Sequence, residues 1–263
     1  MKIGAIGKIT ASATLLMGVT SVFAQDTSVN LASQMSALPK GSASPALMVP
    51  NAAGSGWGSV GAGLYAQTIK RAAPANDRFD GSLGLNFGLG NPSKYVGLDA
   101  SVSISSLTSR GGSSAGHNGS FGLKLNTNLP DLTSFAVGVQ HVGRWGDKNS
   151  KNDPASVYAA LSRYFLVGDS GGLSATIGLG DHAFTRDDTG ANAFGSLAWY
   201  FSQQLSVFGE YTGRFANVGV SLAPFASVPF SVTAAAINLG DPAFQGTKLG
   251  TQFAVSVGYG FSY

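Results

Sequence analysis

Charge is scarce in this chain: 11% of its 263 residues are Asp, Glu, Lys or Arg, against roughly 25% in an ordinary soluble domain. Cysteine is absent, which excludes disulfides, thiolate metal sites, a cysteine nucleophile and a lipidated N-terminal cysteine. Long apolar runs are missing too. Beyond residue 24 no stretch reaches the ~18 consecutive apolar residues of a membrane helix. The formal net charge is only +3, and Lys2 and Lys8 supply two of those three charges. No basic patch therefore marks a nucleic-acid partner. A charge-poor chain without membrane helices is either a fibrous or solenoid protein or a β-barrel whose outer face meets lipid.

What is present first sets the compartment. Lys2 and Lys8 form a basic start, Ile9 to Val19 a short apolar stretch, and Val22-Phe23-Ala24 a small-residue cleavage site before Gln25. This is the grammar of a secretory signal peptide over residues 1–24. Residues 25–53 follow as a Ser-, Ala- and Pro-rich stretch with Pro39, Pro45 and Pro50. Such a composition is expected to bury no core, and a flexible periplasmic segment is favoured over a short plug.

From Trp57 onward the pattern has a period of two. Leu83, Leu85, Phe87 and Leu89 alternate with Ser82, Gly84, Asn86 and Gly88. Leu98, Ala100, Val102 and Ile104 alternate with Asp99, Ser101, Ser103 and Ser105, and similar runs surround Phe121–Asn126 and Leu173–Gly180. Each segment thus has one apolar and one small polar face. Twelve candidate strands emerge: 56–67, 80–90, 97–107, 119–127, 132–143, 155–165, 172–180, 192–201, 205–212, 215–223, 228–237 and 252–263. Many exceed the usual ~5–6 residues and approach the length that crosses a bilayer at a tilt. Long polar joins (68–79, 108–118, 144–154, 181–191, 238–251) alternate with short ones such as Asn91-Pro92-Ser93-Lys94 and Ser202-Gln203-Gln204. The exception is Gly213-Arg214, a short join where a long one is due. The expected fold is all-β: a transmembrane antiparallel up-and-down barrel of about twelve strands over residues 54–263, apolar outside and polar inside, in a bacterial outer membrane.

The last segment carries a further motif. Ser256-x-Gly258-x-x-Phe261-x-Tyr263 resembles the C-terminal signal read by the barrel-assembly machinery, which makes that machinery and the outer-membrane lipids the expected partners. Three other stretches are Asp80-Gly81 through Gly90-Asn91-Pro92, Phe135-Ala136-Val137-Gly138-Val139, and Glu210-Tyr211-x-Gly213 with Asn217-x-Gly219-Val220 and Pro224. Together they resemble a group of bacterial, partly cyanobacterial, outer-membrane barrels. Leu47-Met48-Val49-Pro50-Asn51-Ala52 is distantly similar to the opening motif of exopolysaccharide-associated outer-membrane lipoprotein barrels. That likeness implies a structural or export role at a polysaccharide surface, although this chain is shorter and lacks the lipidated cysteine.

Candidate chemistry is sparse. Gly61-Ala62-Gly63-Leu64-Tyr65-Ala66 matches a dinucleotide fingerprint by letter but lies inside a strand, with no helix to follow. A membrane-embedded lipid hydrolase needs a Ser–His pair. His141 has no Ser on its strand and reads as a polar residue at a loop boundary, while His117 has Ser120 nearby only in a Gly-rich loop. Asp181, His182, Asp187 and Asp188 share one loop and read as a solvated turn rather than a cation site. Asp99, Lys124 and Glu210 fall on the polar face. Charges there imply either a wet lumen or a packed network of salt bridges. The function expected from the residues is a passive channel for small polar solutes, with no enzyme activity, metal or cofactor.

Overall fold

The computed structural model describes residues 30, 32–34, 37–68, 79–108, 115–146, 154–168, 171–186, 189–240, 243–244, 247–248 and 250–262. Its strands are β1 (Ser59–Thr68), β2 (Phe79–Gly90), β3 (Gly97–Ser105), β4 (Asn118–Leu129), β5 (Thr133–Trp145), β6 (Ser156–Val167) and β7 (Gly171–Asp181). They continue as β8 (Ala191–Ser202), β9 (Leu205–Tyr211), β10 (Ala216–Leu222), β11 (Phe230–Leu239), β12 (Ala243–Phe244), β13 (Thr247–Lys248) and β14 (Gln252–Ser262). Twelve of them form one closed antiparallel barrel in sequence order, and β14 pairs with β1 to shut it. The remaining two, β12 and β13, make a small hairpin within the long join before β14. That hairpin was not legible as strand, because it is too short to show a period.

Each alternating segment became a barrel strand, with ends within about three residues of those read from the pattern. The alternation sorts by face. Leu123, Ile177, Leu179, Val218 and Val255 are exposed on the outside, while Ser82, Ser103, Thr176, Ser206 and Ser256 are buried inside. Exposed aromatics form two girdles. Phe87, Phe135, Phe165, Trp199, Phe201, Tyr259 and Phe261 ring the end with the short turns, and Phe79, Phe121, Tyr211 and Phe253 ring the end with the long joins. An outer surface of Leu, Val and Ile between aromatic rings would drive a soluble protein to aggregate. It suits a wall immersed in lipid. Closure also removes the sheet edge, so every strand satisfies its backbone within the wall.

One register irregularity matters for the interior. Leu123 pairs with Val139 and Phe121 with Val142, so Gln140 and His141 together oppose Gly122. His141 takes a left-handed backbone there (φ +62°) and is buried. The expectation of a loop-boundary histidine is corrected: His141 sits within β5, turned inward by a bulge.

Residues 42–57 do not hang clear of the barrel. They enter at the short-turn end, where the Ala43 N–H donates to the Gln203 carbonyl (2.9 Å), and leave at the same end, where the Trp57 N–H donates to the Gly90 carbonyl (2.8 Å). Between these points the chain crosses the lumen from the β8–β10 wall, past β6, to the β2–β4 wall. Ala43, Leu47, Val49 and Ala52 are essentially fully buried. The expectation that this composition buries no core is overturned. It has no core of its own but shares one lined by Tyr65, Tyr200, Phe208 and Ile237 from the wall. Gly88 on β2 is a close approach that permits it, since a Cβ there would collide with the Gly56 carbonyl.

Candidate functional site

The lumen is the candidate site, and period-two geometry builds it. Every second residue of each strand points inward, and these are mostly Ser, Thr, Asn and Gly. The three charges that the pattern put on this face are all buried there. Asp99 on β3 and Lys124 on β4 are register partners, and their side chains form an ion pair of 2.9 Å. Around it, Asp99 accepts from Asn86 Nδ2 (3.1 Å), the Ser55 N–H (3.1 Å) and the Ser55 hydroxyl. Lys124 Nζ donates to Ser33 Oγ (2.6 Å) and to the Ala53 carbonyl (2.9 Å). A buried pair persists only when its remaining donors and acceptors are also satisfied, and here the inner segment helps to satisfy them.

Glu210 on β9 has a different setting. Its carboxylate accepts the backbone N–H groups of Leu47 (3.0 Å), Met48 (3.0 Å) and Val49 (3.1 Å), all three at Oε2. Its register partner Asn217 on β10 donates to Oε1 at 2.8 Å. Three consecutive amides converging on one oxygen make an anion-holding nest. Among the described residues no Lys or Arg pairs with Glu210.

Elsewhere the inner segment is held by short polar side chains. The Ser44 N–H donates to Ser221 Oγ (2.9 Å), Ser206 Oγ donates to the Ser44 carbonyl (2.7 Å), and the Ala52 N–H donates to Ser162 Oγ (2.9 Å). Between segment and wall lies a cavity of about 20 Å³ bordered by Asn30, Asn51, Asn86, Asp99, Lys124 and Gln140. That is room for about one water.

The far mouth has its own constriction. A single 3₁₀ turn, His182–Phe184, follows β7. Phe184 is buried and stacks on Phe194 (4.4 Å between centroids, 25° between planes), with Tyr158 at 5.7 Å. Arg214 secures the turn, donating to the Thr185 carbonyl (2.5 Å) and to the His182 carbonyl. The short Gly213-Arg214 join, an exception in the loop pattern, is thus the anchor of its neighbour.

The other candidates fall as follows. Ser256 and Gly258 face inward and Phe261 outward on β14, while Tyr263 lies outside the described residues. The residues 61–66 motif lies within strand β1. His117 is exposed near the start of β4. Asp181 accepts the Val157 N–H (2.7 Å), so it ties β7 to β6. Asp187 and Asp188 lie outside the described residues, as do residues 1–29. Among the described residues no three His, Asp or Glu side chains gather into a metal site. Sequence reasoning missed Asn217, Asn86, Ser55, Phe184 and Arg214. Asn217 and Asn86 were visible as polar-face positions, but their roles depend on cross-strand register and on the inner segment.

No family model matches this chain, and no curated protein matches it either. Solved structures do. An outer-membrane channel from Pseudomonas putida F1 is similar with a TM-score of 0.50 at 10% identity, covering 77% of this chain and 95% of that one. The KdgM porin, solved with a disordered oligogalacturonate, has a TM-score of 0.45 at 12% identity, over 78% of this chain and 99% of its own. The outer membrane protein Omp33 of Acinetobacter baumannii gives 0.44 at 10%, over 78% and 98%. At such identities the likeness to the Pseudomonas putida channel speaks for the fold.

Proposed function

We propose that this protein is an outer-membrane barrel, assembled by the barrel-assembly machinery, that conducts small polar solutes passively. One observation carries the reading. Inside a closed wall with an apolar exterior, the inward face is polar along its height and holds ionisable side chains, Asp80, Asp99, Lys124 and Glu210 among them. A barrel serving only as a membrane anchor has no need of charges in its interior, because each one carries a desolvation cost. Ser, Thr, Asn and Gly lining is what a water-filled path requires once the inner segment moves aside. No covalent chemistry or cofactor belongs to this reading.

A second reading, a structural or export-accessory barrel at a polysaccharide surface, is favoured by a different observation: the inner segment leaves only about 20 Å³ beside the Asp99–Lys124 pair. Conductance separates the two. Purified protein in planar bilayers is expected to show discrete ohmic steps. Insertion that is electrically silent at every voltage would overturn the channel reading in favour of the structural one.

A further inference from the structure

Resting on the channel reading, we infer that Glu210 is both the latch that keeps residues 47–49 in the lumen and the group that makes the open path prefer cations. Topology makes withdrawal feasible. The segment enters beside Gln203 and leaves beside Gly90, both at the short-turn end, so it can slip out as a loop without threading the wall. Its attachments to Ser162, Ser206 and Ser221 are neutral hydrogen bonds, which water replaces at small net cost. Charged groups hold it at two places: the Asp99–Lys124 pair takes its far end at Ala53 and Ser55, and Glu210 holds its middle with three charge-assisted hydrogen bonds gathered on one oxygen.

The same geometry bears on the charge of the emptied lumen, whose end beside the long joins also holds the buried Asp80 and Arg214. Asp99 and Lys124 are both wall residues on paired strands, so they remain a neutral pair when the segment goes. Among the described residues, Asn217 is the wall partner that Glu210 keeps. Glu210 then stands as a net negative charge facing the path, at the position vacated by three amide donors. A single negative charge in a narrow, low-dielectric passage attracts cations and repels anions. The solute class implied is small cationic or neutral polar molecules rather than anions.

The test uses the full chain in three forms: wild type, Glu210→Gln and Glu210→Asp. Heat-modifiable gel migration first confirms that each has folded. Two readings are then taken: open time and reversal potential in a KCl gradient, and the rate at which a Leu47→Cys thiol reacts with a membrane-impermeant maleimide. The chain has no cysteine of its own, so that thiol reports only the position of the segment. Glu210→Gln is expected to raise open time and thiol reactivity by about tenfold or more, the factor for losing one charge-assisted hydrogen bond, and to lower cation preference. Glu210→Asp is too short to reach all three amides, so it should free the segment yet retain cation preference. If both variants match wild type in open time, thiol rate and reversal potential, the inference fails while the channel reading stands. If no form conducts and the Leu47→Cys thiol stays shielded throughout, the channel reading fails and takes the inference with it.

Discussion

Asp99 and Lys124 face each other across β3 and β4 at 2.9 Å, and neither has appreciable access to solvent. Removing one partner leaves the other charge buried without its counter-ion. Asp99→Asn should therefore destabilise the barrel by about 3–5 kcal/mol, whereas Asp99→Asn combined with Lys124→Met should recover most of that loss. Urea unfolding of the protein refolded in detergent micelles checks both, and equal losses in the single and double variants would show that the pair is not a coupled unit. The opposite face obeys lipid rather than water. Ile177 is exposed outward and its neighbour Thr176 is buried inward. Ile177→Arg is expected to cost about 2–4 kcal/mol, as a cation near the midplane does. Thr176→Asn should be close to neutral, with Asn still within reach of Ser162, which now bonds Thr176 at 2.8 Å. The same unfolding assay reads the contrast.

β14 decides whether the barrel closes. It pairs with β11 on one side and with β1 on the other, Phe261 lying opposite Val60 and Gly260 opposite Gly61. Failure of this last seam would leave two strand edges with N–H and C=O groups facing hydrocarbon, each at a cost of several kcal/mol. Phe261→Asp, or Tyr263→Asp at the end of the assembly motif, is expected to leave the protein exported but unfolded and depleted from the outer membrane. Cell fractionation with heat-modifiable migration measures this. Wild-type levels of folded, membrane-embedded protein for both variants would remove the assembly role from the motif. The strands themselves were legible because a period of two over 8–12 residues survives any tertiary context. The hairpin β12–β13 and the 3₁₀ turn at Phe184 were not, since elements of two or three residues show no period. Their placement depends on what they pack against.

For the whole molecule, a wall of lipid-facing strands and an interior filled from the N-terminal side divide the chain into two tasks. The mature chain is expected to begin at Gln25, after Val22-Phe23-Ala24. Intact mass of membrane-extracted protein tests this, and retention of residues 1–24 would rule out the cleavage reading. Orientation follows from the same arrangement: the short turns and the inner segment share one end, with the long joins and the Phe184 constriction at the other.

By itself the sequence determined the barrel. Scarcity of charge, absence of cysteine, twelve alternating segments and the order of long and short joins are all local properties, and each constrains the fold without knowledge of any distant contact. It also determined that Asp99, Lys124 and Glu210 belong to the polar face, because side-chain direction along a strand follows from position alone. Only the tertiary structure decided what those charges meet. Register set Asp99 against Lys124 and Glu210 against Asn217. Packing brought a Ser-, Ala- and Pro-rich segment, more than 150 residues away from Glu210 in the chain, to offer it three amides. Backbone N–H groups are the same in every residue but proline, so no side-chain pattern could announce them.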